Sequence, residues 1–323
     1  MHRIGSMTIT VLALVATPLA AQEPQCSMPD PNATQACNTA VDAVKAFHPL
    51  AGMIVSGGNP VLGSAGSLGG FGHLSITTRV NLIKASFPNP DSATQSSVPS
   101  SFSGTVPAPV VEAGLGLTRG TAAGLLSVDA LASTVLLPTG VVSDLSVDSG
   151  AAHVGSIALG LGYGARIGVL RGTFPVPTLS LSYMRRTLPR IQYGTLAGTS
   201  FGTGDRFEFD MDLQADNYRL EAGWRFVLVD LAAGVGIDHY TSTAHIRFHD
   251  NPLIPTEVKT VTLDLANTRQ SLFVNTGLSL AATKLVAELG YQTGKDQHLT
   301  TNFSDFDPKA GHVFGGLGLR FGF

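Results

Sequence analysis

Charge is scarce in this sequence. Lysine, arginine, aspartate and glutamate make up 13% of its 323 residues, about half the usual share. The formal net charge of −3 excludes the strongly basic character of a nucleic-acid binder and makes an anionic surface no obvious partner. Long apolar runs are missing too. A membrane helix needs about 20 consecutive apolar residues, and the longest candidate, Ala122 to Leu137, is broken by Asp129. Cysteine is limited to Cys26 and Cys37, with no His or further Cys beside them to complete a metal site. In an oxidising compartment the pair most simply closes a short disulfide loop; a metal or redox pair is the alternative.

The N-terminus reads as an export signal. His2 and Arg3 precede an apolar run from Met7 to Leu19, and Ala20-Ala21-Gln22 offers a cleavage point after Ala21. Pro24-Gln25 before Cys26 is not a lipoprotein cleavage sequence. An exported, fairly apolar chain without a membrane helix is either a soluble periplasmic β protein or a membrane barrel.

The final segment separates these. Phe323, Phe321, Leu319, Leu317 and Val313 share one parity, interrupted only by Gly315, while Gly322, Arg320, Gly318, Gly316, Phe314 and His312 share the other. Such alternation puts one face against an apolar medium and the other against a polar or crowded interior. A strand that stops on an aromatic resembles the C-terminal assembly signal of outer-membrane barrels, here Phe321 and Phe323, which implies the barrel-assembly machinery as a partner. The segments Leu74–Leu82, Ile157–Val169, Tyr218–Phe226 and Leu285–Tyr291 alternate alike, with charges on one parity and large apolar side chains on the other. A membrane barrel requires this.

The sequence predicts ten strands, within two: Phe71–Phe87, Val106–Thr118, Ala122–Leu136, His153–Leu170, Val176–Leu188, Arg206–Phe226, Asp230–Phe248, Val258–Leu280, Lys284–Thr293 and Ala310–Phe323. Their links alternate long and short, as external loops and periplasmic turns do. Two strands, Arg206–Phe226 and Val258–Leu280, change parity midway, which predicts bulges or extensions beyond the membrane. The expected fold is an all-β antiparallel transmembrane barrel over residues 71–323, in the outer membrane of a Gram-negative bacterium, with both termini periplasmic. Tyr163, Tyr183, Tyr218, Trp224, Phe226, Tyr291, Phe321 and Phe323 are candidates for interfacial aromatic girdles in outer-membrane lipid.

Residues 22–70 do not read as barrel wall. Asn38–Phe47 predicts a short helix stopped by Pro49. Ala51–Gly70 is rich in glycine and serine, including Gly57-Gly58-Asn59-Pro60 and Gly69-Gly70. It can thread a tight space, as a plug in the lumen or a cover across the periplasmic mouth. A flexible leader is the plainer reading. This glycine-bearing, Asn-Pro-containing stretch before the first strand resembles the hatch of the long-chain fatty acid transporter family. The resemblance covers Ala51 to about Gly72, implies a hatch, and carries over no ligand-contacting residue.

Inward charges are expected at Arg79, Glu112, Asp129, Arg166, Arg186, Arg219, Glu221, Arg225, Asp238, Glu288 and Arg320. Both signs are present, so a mutually paired network filling a narrow barrel is favoured over a constriction that selects solutes. Asp238, His239, Ser242, His245, His249 and Asn251 lie near one strand end and invite comparison with a hydrolase, but no G-x-S-x-G elbow accompanies them. Asp305 and Asp307 lack the glycine and terminal glutamate of a calcium loop. The sequence therefore names no enzyme, metal or cofactor. Passive passage of a small or hydrophobic solute past an N-terminal plug is the leading expectation. A non-conducting structural or partner-binding barrel is the alternative, and a lipid-modifying enzyme the third.

Overall fold

The structure, a computed structural model, describes residues 23–29, 31–88, 100–121, 125–138, 145–148, 150–193, 207–249, 258–294, 299 and 310–323. The export signal, Asn251, Asp305 and Asp307 lie outside the described residues. The strands are β1 (Leu74–Pro88), β2 (Ser100–Thr118), β3 (Ser127–Pro138), β4 (Leu145–Val147), β5 (His153–Val154), β6 (Ile157–Leu170), β7 (Thr178–Tyr193), β8 (Phe207–Arg225), β9 (Val229–His249), β10 (Val258–Leu280), β11 (Thr283–Thr293) and β12 (His312–Gly322). All pair antiparallel, and the wall closes because β1 bonds β12 while β6 bonds β7. Ten strands make the barrel. The short β4 and β5 only extend β7 and β6 at one end.

The ten expected strands are all present, with shifted ends. The third begins at Ser127 rather than Ala122, because Gly120 and Leu126 take positive φ values of 72° and 58° and the chain is still turning there. Short connections gather at one end, which also holds the C-terminus: Phe323 exchanges backbone hydrogen bonds with Leu74. The longer connections leave from the other end.

The expected midway change of parity is a change of polarity instead. Pairing of β9 with β10 runs without a shift from Val258↔His249 to Leu278↔Val229. The inward positions of β10 read Val261, Leu263, Leu265, then Asn267, Arg269, Ser271, Phe273 and Asn275. The outward positions invert this, from Thr260, Thr262 and Asp264 to Leu272, Val274, Leu278 and Leu280. β9 does the same, with outward Val235 and Ile237 giving way to His239, Thr241 and Thr243. Toward the short connections, the barrel is apolar outside over the 9–11 residues a tilted strand needs to cross a bilayer. Toward the long connections it is polar outside and apolar inside, like a soluble domain. β9 and β10, with 21 and 23 residues, are long enough for both zones.

The inner apolar zone exists to hold a helix. α1 spans Pro31–Ser56, with Pro49 inside it. The expected stop at Pro49 does not occur. An interior proline costs about 3 kcal/mol, but His48, Leu50, Ala51 and Met53 around it are all buried, and their packing holds the helix together. Val41, Val44, Leu50 and Met53 share one core with Phe209, Met211, Leu213, Ala244, Ile246, Val261 and Leu263 of the wall. The Phe47 and Phe209 rings pack at a tilt, 6.0 Å between centroids. Gly52 permits the closest approach, since a Cβ there would sit 2.5 Å from the Tyr240 ring. Above the helix a short 3-10 turn, Pro24–Cys26, is tied by the Cys26–Cys37 disulfide.

The helix runs against expectation in one respect. Gln25 exchanges hydrogen bonds with Thr262, near the long-connection end. Glu23 therefore lies at the opposite end of the barrel from Phe323, and the two described ends do not share a side. The physical reason is the position of the apolar zone, which draws an apolar helix to the far half of the lumen.

Candidate functional site

The site is the polar half of the lumen, where the chain leaving α1 meets the inner wall. Alternation on nine strands aims the expected charges inward, and all but Arg225 are buried or nearly so. The central group forms around Glu112, whose Oε1 accepts from Arg79 and from Arg186, each at 3.0 Å. Arg79 also lies 3.6 Å from Glu288. Asp238 accepts from Arg219 at 2.7 Å, from Asn217 at 2.5 Å and from Gln292 at 2.6 Å. Asn217 in turn accepts from Arg186 at 2.5 Å, joining the two groups.

The wall grips the segment through its backbone. Gly58 and Asn59 N–H groups donate to the two Glu288 oxygens at 2.9 and 2.7 Å. Arg219 donates to the carbonyls of Gly58 and Gly57 at 2.9 and 2.8 Å, and Arg79 to that of Asn59 at 3.2 Å. Gly57 has a φ of +59°, and a Cβ there would meet the Arg79 guanidinium at 2.6 Å. Pro60 follows, also buried. Ala51–Gly70 thus divides: residues to Ser56 end α1, and those that follow lie within the lumen until Gly69 and Gly70 reach its mouth.

A second pair sits nearer the short connections. Arg166 and Asp129 are 2.9 Å apart; Asp129 accepts from Leu68 N–H, and Arg166 donates to Ser64 O at 3.3 Å. Arg320 stands apart, donating to Ser75 Oγ at 2.9 Å and Leu62 O at 3.4 Å. Gly69 and Gly70 lie at the mouth, where Arg119 donates to Gly69 O. Glu221 is buried, with neither oxygen hydrogen-bonded among the described residues. Arg225 departs from expectation: its side chain is 73% exposed at the rim, paired there with Asp230. Its strand ends at that residue, so the side chain leaves the lumen.

Sequence reasoning passed over Asn217, Asn275 and Gln292. Asn275 accepts from Gly63 N–H at 3.1 Å. All three share the inward parity of their strands, which was the available signal. The residues that suggested a hydrolase are divided by the same parity. Ser242 faces inward, while His239 and His245 face outward, His245 toward Asp210 at 3.0 Å.

The aromatic candidates fall at two levels. Tyr163, Tyr183, Tyr218 and Tyr291 mark the edge toward the polar exterior, with Tyr183 and Tyr218 rings 5.1 Å apart. Trp224, Phe226, Phe321 and Phe323 lie at the short-connection edge. A closed ten-stranded barrel with an apolar outer band between two aromatic rows has the architecture of outer-membrane proteins.

No family model matches the chain, and no curated protein matches it. Similar solved structures include the outer membrane protease OmpT of Escherichia coli, 12% identical over 78% of this chain and 96% of that one, at a TM-score of 0.39. The Pseudomonas putida toluene transporter TodX is 11% identical over 83% and 97%, at 0.31. The translocator domain of autotransporter NalP from Neisseria meningitidis is 11% identical over 77% and 87%, at 0.33. The likeness is one of barrel fold and assigns no activity.

Proposed function

We propose that the protein is a self-filled outer-membrane barrel, closed to solutes at rest, that presents its long connections and the chain before Glu23 outside the cell for a partner to bind. One observation carries this reading. The lumen is occupied over its whole height, by an apolar helix in one half and by backbone clamped to buried ion pairs in the other. Withdrawing α1 would bare the apolar lining of the outer half to water, at about 25 cal/mol per Å². A gate that cycles freely would not be built on such a core. The short-connection end, carrying the C-terminus, faces the periplasm in this reading.

Passive passage past a movable plug is the second reading. It is favoured by the glycines of residues 57–70, whose clamps are mostly backbone hydrogen bonds that can be remade without repacking side chains. Planar-bilayer conductance of the refolded protein, with and without residues 51–70, separates the two. The expected result is silence from the full chain. Steady open-channel current from the full chain overturns the closed barrel, and current only after deletion, or on adding a solute, selects the plug. An epitope inserted before Glu23 should bind antibody on intact cells; labelling only after the outer membrane is broken would reverse the sidedness.

A further inference from the structure

The rim formed by the short connections is apolar and carries positive charge, although the whole chain is close to neutral. Two neighbouring connections merge there into one platform. The Phe174 and Phe226 rings pack at a tilt, 6.0 Å between centroids, and Trp224 Nε1 donates to Pro175 O at 2.9 Å. Val227, at the tip, is 98% exposed, with Phe174 at 73% and Leu228 at 58%. Turns standing in water do not carry such side chains uncovered.

The exposed charges of the short connections and the adjoining strand end have one sign. Arg-Gly-Thr opens two of the short connections, at 119–121 and again at 171–173, and none of the four short connections contains an acidic residue. Arg119, Arg171 and Arg225 are exposed. Asp230 is shared between Arg225 and Lys284, which leaves that group with a net positive charge. The other end of the barrel carries both signs, with Glu23, Lys45, Asp148 and Arg190 among them.

We propose that this rim is a collar that selects anionic phospholipids. The phosphates of the adjoining leaflet pair with Arg119, Arg171 and Arg225, while Phe174, Val227 and Leu228 enter the boundary between headgroups and acyl chains. Aromatic residues favour that depth, and cations there gain from an anionic surface. Apolar side chains with cations directly beside them fit a lipid leaflet better than water.

The protein supplies its own reporter, because Trp224 is its single tryptophan. The full chain is refolded into vesicles of phosphatidylcholine and phosphatidylglycerol in which one lipid or the other carries brominated acyl chains. The expected result is that brominated phosphatidylglycerol quenches Trp224 at about one fifth of the mole fraction that brominated phosphatidylcholine needs, the preference one well-placed arginine confers. It should shrink toward parity at high salt and in Arg119→Gln/Arg171→Gln/Arg225→Gln. Arg171→Gln alone should weaken it, and since Arg171 has no partner among the described residues, this variant leaves folding untouched. Equal quenching by both lipids in the native protein overturns the proposal. Quenching by neither also overturns it, and would turn the search to an acidic protein partner. The measurement reads the rim whichever way the barrel inserts, so it stands apart from the tests of sidedness and closure.

Discussion

The decisive residues in the lumen are the acids Glu112, Asp238 and Glu288, because each is shared among several partners. Glu112 serves Arg79 and Arg186 together. Replacing it with glutamine leaves the buried Arg186 guanidinium without a counter-charge and Arg79 with Glu288 alone, 3.6 Å away, a loss of about 3–5 kcal/mol. Glu221 has no hydrogen-bonded partner among the described residues, so Glu221→Gln should cost far less, or stabilise. Urea unfolding of both variants in vesicles tests the contrast, and equal losses would mean that position rather than pairing decides. His48 makes a different prediction. It lies on the helix in the half of the barrel outside the membrane, fully buried, and burial lowers its pKa to about 4, with a smaller push from His239. The unfolded chain takes up this proton near 6.5 and the folded one near 4. Stability is therefore complete above about 6.5 and lost as pH falls toward 4, by about 3 kcal/mol. Melting between pH 7 and pH 4.5 should show the fall, and His48→Gln should flatten it.

At the scale of elements, what the sequence made legible followed from alternation. Val313 through Phe323 and Tyr218 through Phe226 repeat in steps of two, so strands, wall face and inward charges could be read directly. Where physical context reverses, the reading failed in an informative way. Val261, Leu263 and Leu265 look like a lipid face, and nothing local says that they are lining for a helix distant in sequence. Pro49 misled for a similar reason: local chemistry ends a helix there, and tertiary packing carries it on. Pro49→Ala should therefore stabilise the protein, by up to about 3 kcal/mol, with thermal unfolding as the check. No gain would show that the proline fits a bend the lumen requires. The grip of Glu288 on Gly58 and Asn59 was also out of reach, since a backbone N–H has no signature in sequence.

At the scale of the whole molecule, the barrel has two chemistries stacked along one axis, and α1 belongs to the half that does not touch the bilayer's interior. The inward charges read from sequence pair with one another, Arg79 and Arg186 with Glu112, Arg166 with Asp129 and Arg219 with Asp238, and several also hold main-chain groups of residues 57–68, which alternation could not reveal. The filled lumen also bears on how the chain is put together. A sleeve already sewn shut along β1 and β12 would have to admit the helix, with Asp42 and Lys45 on it, past a tight ring of arginines. Wrapping the strands around a helix already in place meets no such obstacle. The seam where Leu74 meets Phe323 is then the last stitch, and the N-terminal segment is the mandrel on which the garment is cut.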